Sequence, residues 1–588
     1  MRCFSLDHGV KSKISIVLQS VFIMCWLSVL SDTDSLHSVY SLCGIVSVFC
    51  LCDNYQQKRK CEGKLKILLV LVSFVFSLLV ILANYPVFLQ VRDPALISPA
   101  TNMLQNLLNG ICCLVGGIVV AWNLLTVMFI RLPLFVEVED RSKSGLVFWL
   151  SFGIIALIDL IYLFLDEYPG HLTPDSMYQV QQGFEGVYIN DNPFWHTFAI
   201  RGILSLGYGF FGTPNGAVAF FSVVQLLLLA ACMAYALVTL YQAGAPKWCM
   251  AVCLAVYALS PYNIAMSITM WKDVPFSAAA MVLAVSLYRI LAGVGKKQWH
   301  SYLLFALSGL VLCLSRTTGI PTMILSGLVF LPVLLRRNRK LLCILAVVLA
   351  VCLVLTGPVQ TALNVQVTDF TEALNVPLQQ LARVVADGCP LEEGEREMLS
   401  RIFDLEEIPS LYQGWLADPI KLEVRENDVA YLRENLGEYG RLWLRLGLKY
   451  PGEYLKAWVD QTKGYWNGGY DYHQYAEMVE ENPYGIEKTG GNGLISKLFY
   501  LYFGLTRHGV FLEPLNSIGL HVWLLILCVL LNAVKKRPEG LLPVTALAIV
   551  FGLLFGTPVY SEFRYAYAVF LICPVVLPLT VFHRKDLS

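Results

Sequence analysis

Three short stretches each carry a cation beside an aromatic, hydroxyl or acidic residue: Trp271-Lys272-Asp273, Arg316-Thr317-Thr318-Gly319 and Ser561-Glu562-Phe563-Arg564-Tyr565. Ammonium and guanidinium groups donate to phosphate oxygens, so Lys272, Arg316 and Arg564 brought together would hold one phosphate or pyrophosphate. A fourth stretch, Asp166 to Thr197 (DEYPGHLTPDSMYQVQQGFEGVYINDNPFWHT), gathers the carboxylates Asp166, Glu167 and Asp175 with His171 and His196 beside them. A carboxylate next to bound substrate can take the proton of an attacking hydroxyl. Gln179, Asn192 and His196 are further polar candidates for substrate binding in that stretch, and Glu562 and Tyr565 flank Arg564. Further on, Tyr465-Trp466-Asn467-Gly468-Gly469-Tyr470 with Asp471 and His473 forms an aromatic and amide cluster in which Trp466 could stack on a sugar face and Asn467 bond its hydroxyls.

Each feature also has a plainer account. Asp166 and Glu167 could mark a helix end at a membrane interface, and Asp175 could be a helix cap. Lys272 with Asp273, or Arg564 with Glu562, could form an interfacial ion pair. The Trp466 cluster could be packing.

The elements that must position these groups are apolar helices. The chain has 588 residues, 56% hydrophobic and only 15% charged, with mean hydropathy +0.60, against about 25% charge in globular domains. Ile67 to Leu82, Ile111 to Ile130 and Leu341 to Thr361 hold no charge at all, and a spanning helix needs roughly 20 such residues. This excludes a single-core soluble enzyme, a disulfide scaffold and a disordered chain. Apolar runs between polar breaks predict fourteen spans, at about 14–30, 38–52, 65–84, 106–130, 145–165, 216–241, 248–265, 275–292, 301–315, 318–335, 341–362, 515–533, 541–557 and 566–583.

With both termini cytoplasmic, 23 of the 43 basic residues fall in the inner loops, as the positive-inside rule requires. Lysine and arginine are disfavoured in the short outer loops, so Lys272, Arg316 and Arg564 there need a reason. Residues 363–512 hold 23 acidic and 14 basic residues with interleaved signs. That reads as a solvated surface rather than a nucleic-acid patch. Helical spacing over Asp428 to Tyr450 predicts a mostly helical outer domain. The expected organisation is a four-span region at 1–144, a core module at 145–362 with its large outer loop at 166–215, an extracytoplasmic domain at 363–514 and a three-span region at 515–588. Asp159, inside the fifth span and about two turns before Asp166, is a buried-acid candidate. The 17 cysteines sit mostly in apolar runs with no metal-ligand spacing, so no cofactor is expected, with a divalent metal left open.

Tyr168-Pro169-Gly170, Asp175-Ser176, Gln179 and Asn192-Pro193-Phe194-Trp195-His196-Thr197, followed by Trp271-Lys272-Asp273, Ser315-Arg316-Thr317-Thr318-Gly319 and Glu562-Phe563-Arg564-Tyr565, resemble the C-type (GT-C fold) membrane glycosyltransferases. More closely they resemble a bacterial group of polytopic proteins related to these. The resemblance covers roughly 145–362 and 515–583. It implies an all-α polytopic GT-C-like fold, a catalytic acid in the first large outer loop, a polyprenyl-phosphate sugar donor and inverting transfer on the outer face of a bacterial plasma membrane. The additional N-terminal spans and the late-inserted outer domain depart from that pattern and leave the acceptor open among cell-surface glycans, lipids and proteins.

On this reading Asp175, or else Asp166 or Glu167, is the base, and Lys272, Arg316 and Arg564 stabilise the departing lipid phosphate. A polysaccharide polymerase or ligase acting on lipid-linked glycans would use the same site. A secondary transporter is the rival from another class; it would place ionisable groups at the bilayer midplane and show paired repeats, where this chain shows one acid and no clear repeat. A non-catalytic scaffold built around the outer domain is the last alternative.

Overall fold

A computed structural model describes residues 10–31, 38–56, 63–91, 93, 97–132, 134–136, 141–295, 298–468, 479, 481–491, 493–508, 513–556 and 558–584. The cations expected in inner loops at Lys58 to Lys60, Lys296, Lys297 and Lys585, and the expected cluster residues Tyr470, Asp471 and His473, lie outside these.

The regular structure of the described residues is helical apart from two three-residue strands, Leu134–Val136 and Phe582–Arg584. Its longer helices are α1 (Val10–Ser31), α2 (Ser38–Gln56), α3 (Gly63–Ala83), α4 (Pro99–Arg131), α5 (Ser144–Leu165), α6 (Pro174–Glu185), α7 (Phe194–Phe211), α8 (Pro214–Ala243), α9 (Lys247–Leu259), α10 (Pro261–Ile268), α11 (Asp273–Leu291), α12 (Gln298–Ser315), α13 (Gly319–Arg337) and α14 (Arg339–Val354). There follow α15 (Asn375–Ala386), α16 (Glu393–Ser400), α17 (Asp418–Glu426), α18 (Leu436–Lys449), α19 (Pro451–Trp466), α20 (Leu494–His508), α21 (Ile518–Val534), α22 (Val544–Phe555) and α23 (Phe563–Val581).

Among the described residues, ten helices are long and apolar enough to cross a membrane, or eleven if α9 and α10, bent by 49° at their junction, count as one. Three further spans of the fourteen expected fall on apolar helices shorter than that, Ile14–Leu30, Val39–Leu51 and Ile518–Val534. The bend has a local cause: Pro261 has no N–H to give the preceding turn, and Ser260 before it is extended.

Two compact units divide the chain. Unit 1 comprises Met1–Leu134, Lys463–Tyr472 and His508–Leu520. Its core holds Ile23, Trp26, Tyr40, Val80 and Val120. Gly116 is required there, because a Cβ would come within 2.4 Å of the Trp26 Cβ. Unit 2 is the remainder. In it α5 packs on α8, α11 on α12 and α23, and α13 on α22.

Within unit 2, a helical domain buries its own core of Leu378, Leu381, Phe403, Ile420, Leu442 and Leu446, as the pattern over Asp428 to Tyr450 predicts. The expected outer segment is not one body throughout. Past the helical core the chain returns to the apolar bundle, where Phe499 and Phe503 of α20 pack on Tyr162 of α5. On the opposite side of α20, Leu494, Leu498, Leu501 and Leu505 form an exposed stripe at helical spacing.

Candidate functional site

The Asp175 helix is fixed at its start by three independent devices. Thr173 and Ser176 form a capping box, with Pro174 in the first turn. Ser176 donates to the Met270 carbonyl at 2.8 Å, and the Trp271 indole N–H donates to Thr173 Oγ1 at 2.7 Å. The preceding loop is registered on the α10 exit: the His171 N–H bonds the Ile268 carbonyl and the Met270 N–H bonds the His171 carbonyl. Gly170 (φ +123) is needed in that loop, since a Cβ would lie 2.2 Å from Ser222 Oγ. Gln225 of α8 braces the end of α10 by donating to the carbonyls of Met266, Ser267 and Thr269; the Met266 carbonyl also accepts from the Thr269 N–H and the Thr269 carbonyl from the Trp271 N–H.

The cap is therefore Thr173, and the Asp175 carboxylate is directed elsewhere. It accepts from Arg564 Nη1 at 2.6 Å. Arg564 lies over the Trp271 and Tyr565 rings, each 5.0 Å away, with Glu562 3.4 Å from its Nε. Arg316 lies over the other side of this cluster, 4.4 Å from the Tyr565 ring. The sequence suggested Lys272 as the partner of Asp273; the structure instead pairs Asp273 with Arg316, and Asp273 is wholly buried at the first turn of α11. The remaining oxygen of Asp273 is buried without a hydrogen-bond partner among the described residues.

Lys272 donates to Asn192 Oδ1 at 2.5 Å. Among the described residues no carboxylate lies within ion-pair reach of it. Burial, together with Arg316 and Arg564, holds its ammonium below the ordinary lysine range, against the opposing pull of Asp175 and Asp273. Burial also pushes the Asp175 carboxyl up, but Arg564, Lys272 and Arg316 outweigh it and leave the group below its ordinary value. Cations from three separate helix ends thus act on one carboxylate.

Next to this cluster, Gln179 of α6 donates to Thr197 Oγ1 at 2.8 Å and meets His196 Nδ1 at 3.0 Å. Burial and the charge of Lys272 press the His196 pKa down to about 3. The ring is neutral at any physiological pH, with its proton on Nε2 when Gln179 donates to Nδ1. His196 heads a cavity of about 350 Å³ between α7, α8, α11 and α12, whose walls are Ile203, Leu228, Ala278, Val282 and similar apolar side chains.

Other expected residues lie elsewhere. Glu167 is buried in a separate cluster, 2.6 Å from Lys488 Nζ and 3.4 Å from His171 Nε2. Burial raises its pKa, and His171 and Lys488 more than reverse that, leaving it below the ordinary value. Asp166 is buried at the end of α5, where its N–H bonds the Tyr162 carbonyl and its own carbonyl crowds Gly490. Neither carboxylate is part of the Arg564 cluster. Asp159 is buried within α5. Trp466 and Asn467 belong to unit 1, where Asn467 accepts from the Tyr40 hydroxyl and both are buried. No three His, Cys, Asp or Glu side chains are grouped to hold a metal among the described residues.

The fold and the site define a multi-pass membrane protein with a mixed-charge cluster gathered where several apolar helices end. The chain belongs to a family of unknown function, DUF6020, which matches residues 185–587. That stretch contains Asn192, His196 and the three cations, while Asp175 lies just before it. No curated protein and no solved structure matches the chain.

Proposed function

We propose that the protein is a membrane glycosyltransferase of the GT-C type, moving a sugar from a polyprenyl-phosphate donor to a cell-surface acceptor on the outer face of a bacterial plasma membrane. The observation that carries this reading is a carboxylate facing three cations beside an apolar cavity, the complement of a phosphate borne on a hydrocarbon chain. Lys272 supports it further, since a cation with only a neutral partner has charge to offer an incoming anion. The cavity below His196 offers hydrocarbon contact to the first part of the lipid chain.

Asp175 is the base of choice and Asp166 and Glu167 are withdrawn from that role, because their surroundings are separate from the cations. In the resting arrangement Asp175 is clamped by Arg564. A donor phosphate competes for that guanidinium, and as Arg564 turns to the phosphate the carboxylate regains basicity. The acceptor oxygen then attacks the anomeric carbon while its proton passes to Asp175. The bond from the anomeric carbon to the phosphate oxygen breaks with inversion, and the leaving lipid phosphate carries the electron pair. Lys272, Arg316 and Arg564 stabilise that growing charge. Trp271 and Tyr565 hold the two guanidiniums by stacking.

The test is release of lipid phosphate by purified protein from a panel of radiolabelled polyprenyl-phosphate sugars, comparing wild type with Asp175→Asn. Release that requires Asp175 supports the reading and identifies the donor. Every donor left intact by folded protein removes it.

A further inference from the structure

Arg201, in the segment expected to form the large outer loop at 166–215, is a cation that the proposed chemistry does not use. It sits on α7, exposed, with Nη1 donating to the Tyr188 hydroxyl at 2.8 Å. Among the described residues no carboxylate pairs with it. Its stem runs past Gly183 of α6, where a Cβ would lie 3.4 Å from the Arg201 Cβ.

Arg201 borders a second cavity, of about 500 Å³, on the side of α7 away from the cavity beneath His196. The floor is buried and apolar, with Val180, Leu204 and Val218 drawn from the core under α6. The rim is aromatic and exposed: Phe184 and Tyr208 are 66% and 54% accessible, and Phe184 stacks on Tyr484 at 4.9 Å. One unpaired guanidinium above an apolar floor with an aromatic rim matches a molecule with an anionic head and a hydrocarbon body. Aromatic rims of this kind favour the membrane–water boundary. A soluble anion would leave the floor unfilled, a lipid without a phosphate would leave Arg201 unused, and a zwitterionic head would set its own cation against the guanidinium.

We infer that this cavity binds an anionic phospholipid of the surrounding bilayer, its phosphate on Arg201 and the start of an acyl chain between α6, α7 and α8. The site is distinct from the Arg564 cluster, yet mechanically joined to it. Gln179 lines the cavity and bonds His196 and Thr197, and Asp175 lies one turn earlier on the same helix, about 6 Å along its axis. A lipid seated here buttresses the helix that carries Asp175.

The experiment is lipid selectivity of the full chain in phosphatidylcholine nanodiscs. It follows motional restriction of trace spin-labelled phosphatidylglycerol against spin-labelled phosphatidylcholine by electron paramagnetic resonance. Wild type is expected to favour phosphatidylglycerol by about fivefold to tenfold, the scale of one charge-assisted contact. Arg201→Gln, a change at an exposed position, abolishes the preference, Arg201→Lys keeps part of it, and Lys272→Gln leaves it intact. A preference that survives Arg201→Gln, that is lost instead in Lys272→Gln, or that is absent in wild type overturns the inference. So does displacement of the bound phosphatidylglycerol by millimolar inorganic phosphate, which would make the ligand a free anion. Because the readout is binding, it stands whether or not any sugar donor is turned over.

Discussion

Replacing Asp175 by Asn should separate binding from turnover in opposite directions. In wild type the incoming phosphate must compete with a carboxylate already 2.6 Å from Arg564. Two unit charges about 4 Å apart attract by about 1 kcal/mol in water and about 4 kcal/mol at the effective dielectric of a protein surface. The Asp175 side chain is 40% accessible, so solvent screening selects the lower end, about 1 kcal/mol. Removing that competitor therefore tightens lipid-phosphate binding by about fivefold. Loss of the proton acceptor works against the chemical step and lowers transfer by roughly 10²- to 10⁴-fold. Calorimetric titration with farnesyl phosphate in detergent reads the first effect, and release of lipid phosphate from a labelled donor reads the second. A variant that binds farnesyl phosphate no better than wild type and still transfers sugar at a comparable rate would refute both the clamp and the base.

Three other outcomes follow from the charges. Because Arg564, Lys272 and Arg316 hold the Asp175 pKa below its ordinary value, the acid limb of kcat/KM lies below the usual carboxylate range. Arg564→Gln should move that limb upward, and an unmoved limb in a pH profile assigns the titration to another group. Arg316→Met leaves wholly buried Asp273 without its partner, a change on the order of 3–5 kcal/mol; thermal unfolding in detergent should show the loss, with most of it recovered by the Arg316→Met, Asp273→Leu pair. Glu167 has a folded pKa below its unfolded value, so its contribution to stability is complete above about pH 4.3 and disappears as pH falls through the folded value. Lys488→Met should cost roughly 1–3 kcal/mol at neutral pH and much less in acid, and an equal penalty at both pH values contradicts the pairing.

The apolar helices and the helical domain core were legible from the sequence, because span length and the Asp428 to Tyr450 pattern are local signals; a helix start near Asp175 was legible too, with the cap on Thr173 rather than Asp175. So was the suspicion attached to Lys272, Arg316 and Arg564, since each violates a charge rule that acts within one loop. Their partners were not. Arg564 reaches a carboxylate 389 positions away and Asp273 chooses Arg316 over its neighbour Lys272, choices made by helix packing rather than by adjacency. By sequence Asp175 stands ahead of Asp166 and Glu167, but all three are candidates for one site. The loop at Gly170 separates them, sending Glu167 to His171 and Lys488 while α6 turns Asp175 toward Arg564. Lys488, Gln225 and the Thr269–Met270 backbone had no distinguishing mark, because their importance lies in which carbonyl or carboxylate the fold puts in front of them.

The division of the chain into two units constrains how the protein can be taken apart. The polypeptide passes between them after residues 134, 462, 472, 507 and 520, so a cut near residue 134 does not release a self-sufficient module. A truncation that discards the first four helices strands 463–472 and 508–520, two inserts whose neighbours in their own unit have gone. The N-terminal region is accordingly closer to a stitched seam than to an appended tail, and shortened versions should be judged by whether those two inserts stay soluble in detergent and resist protease.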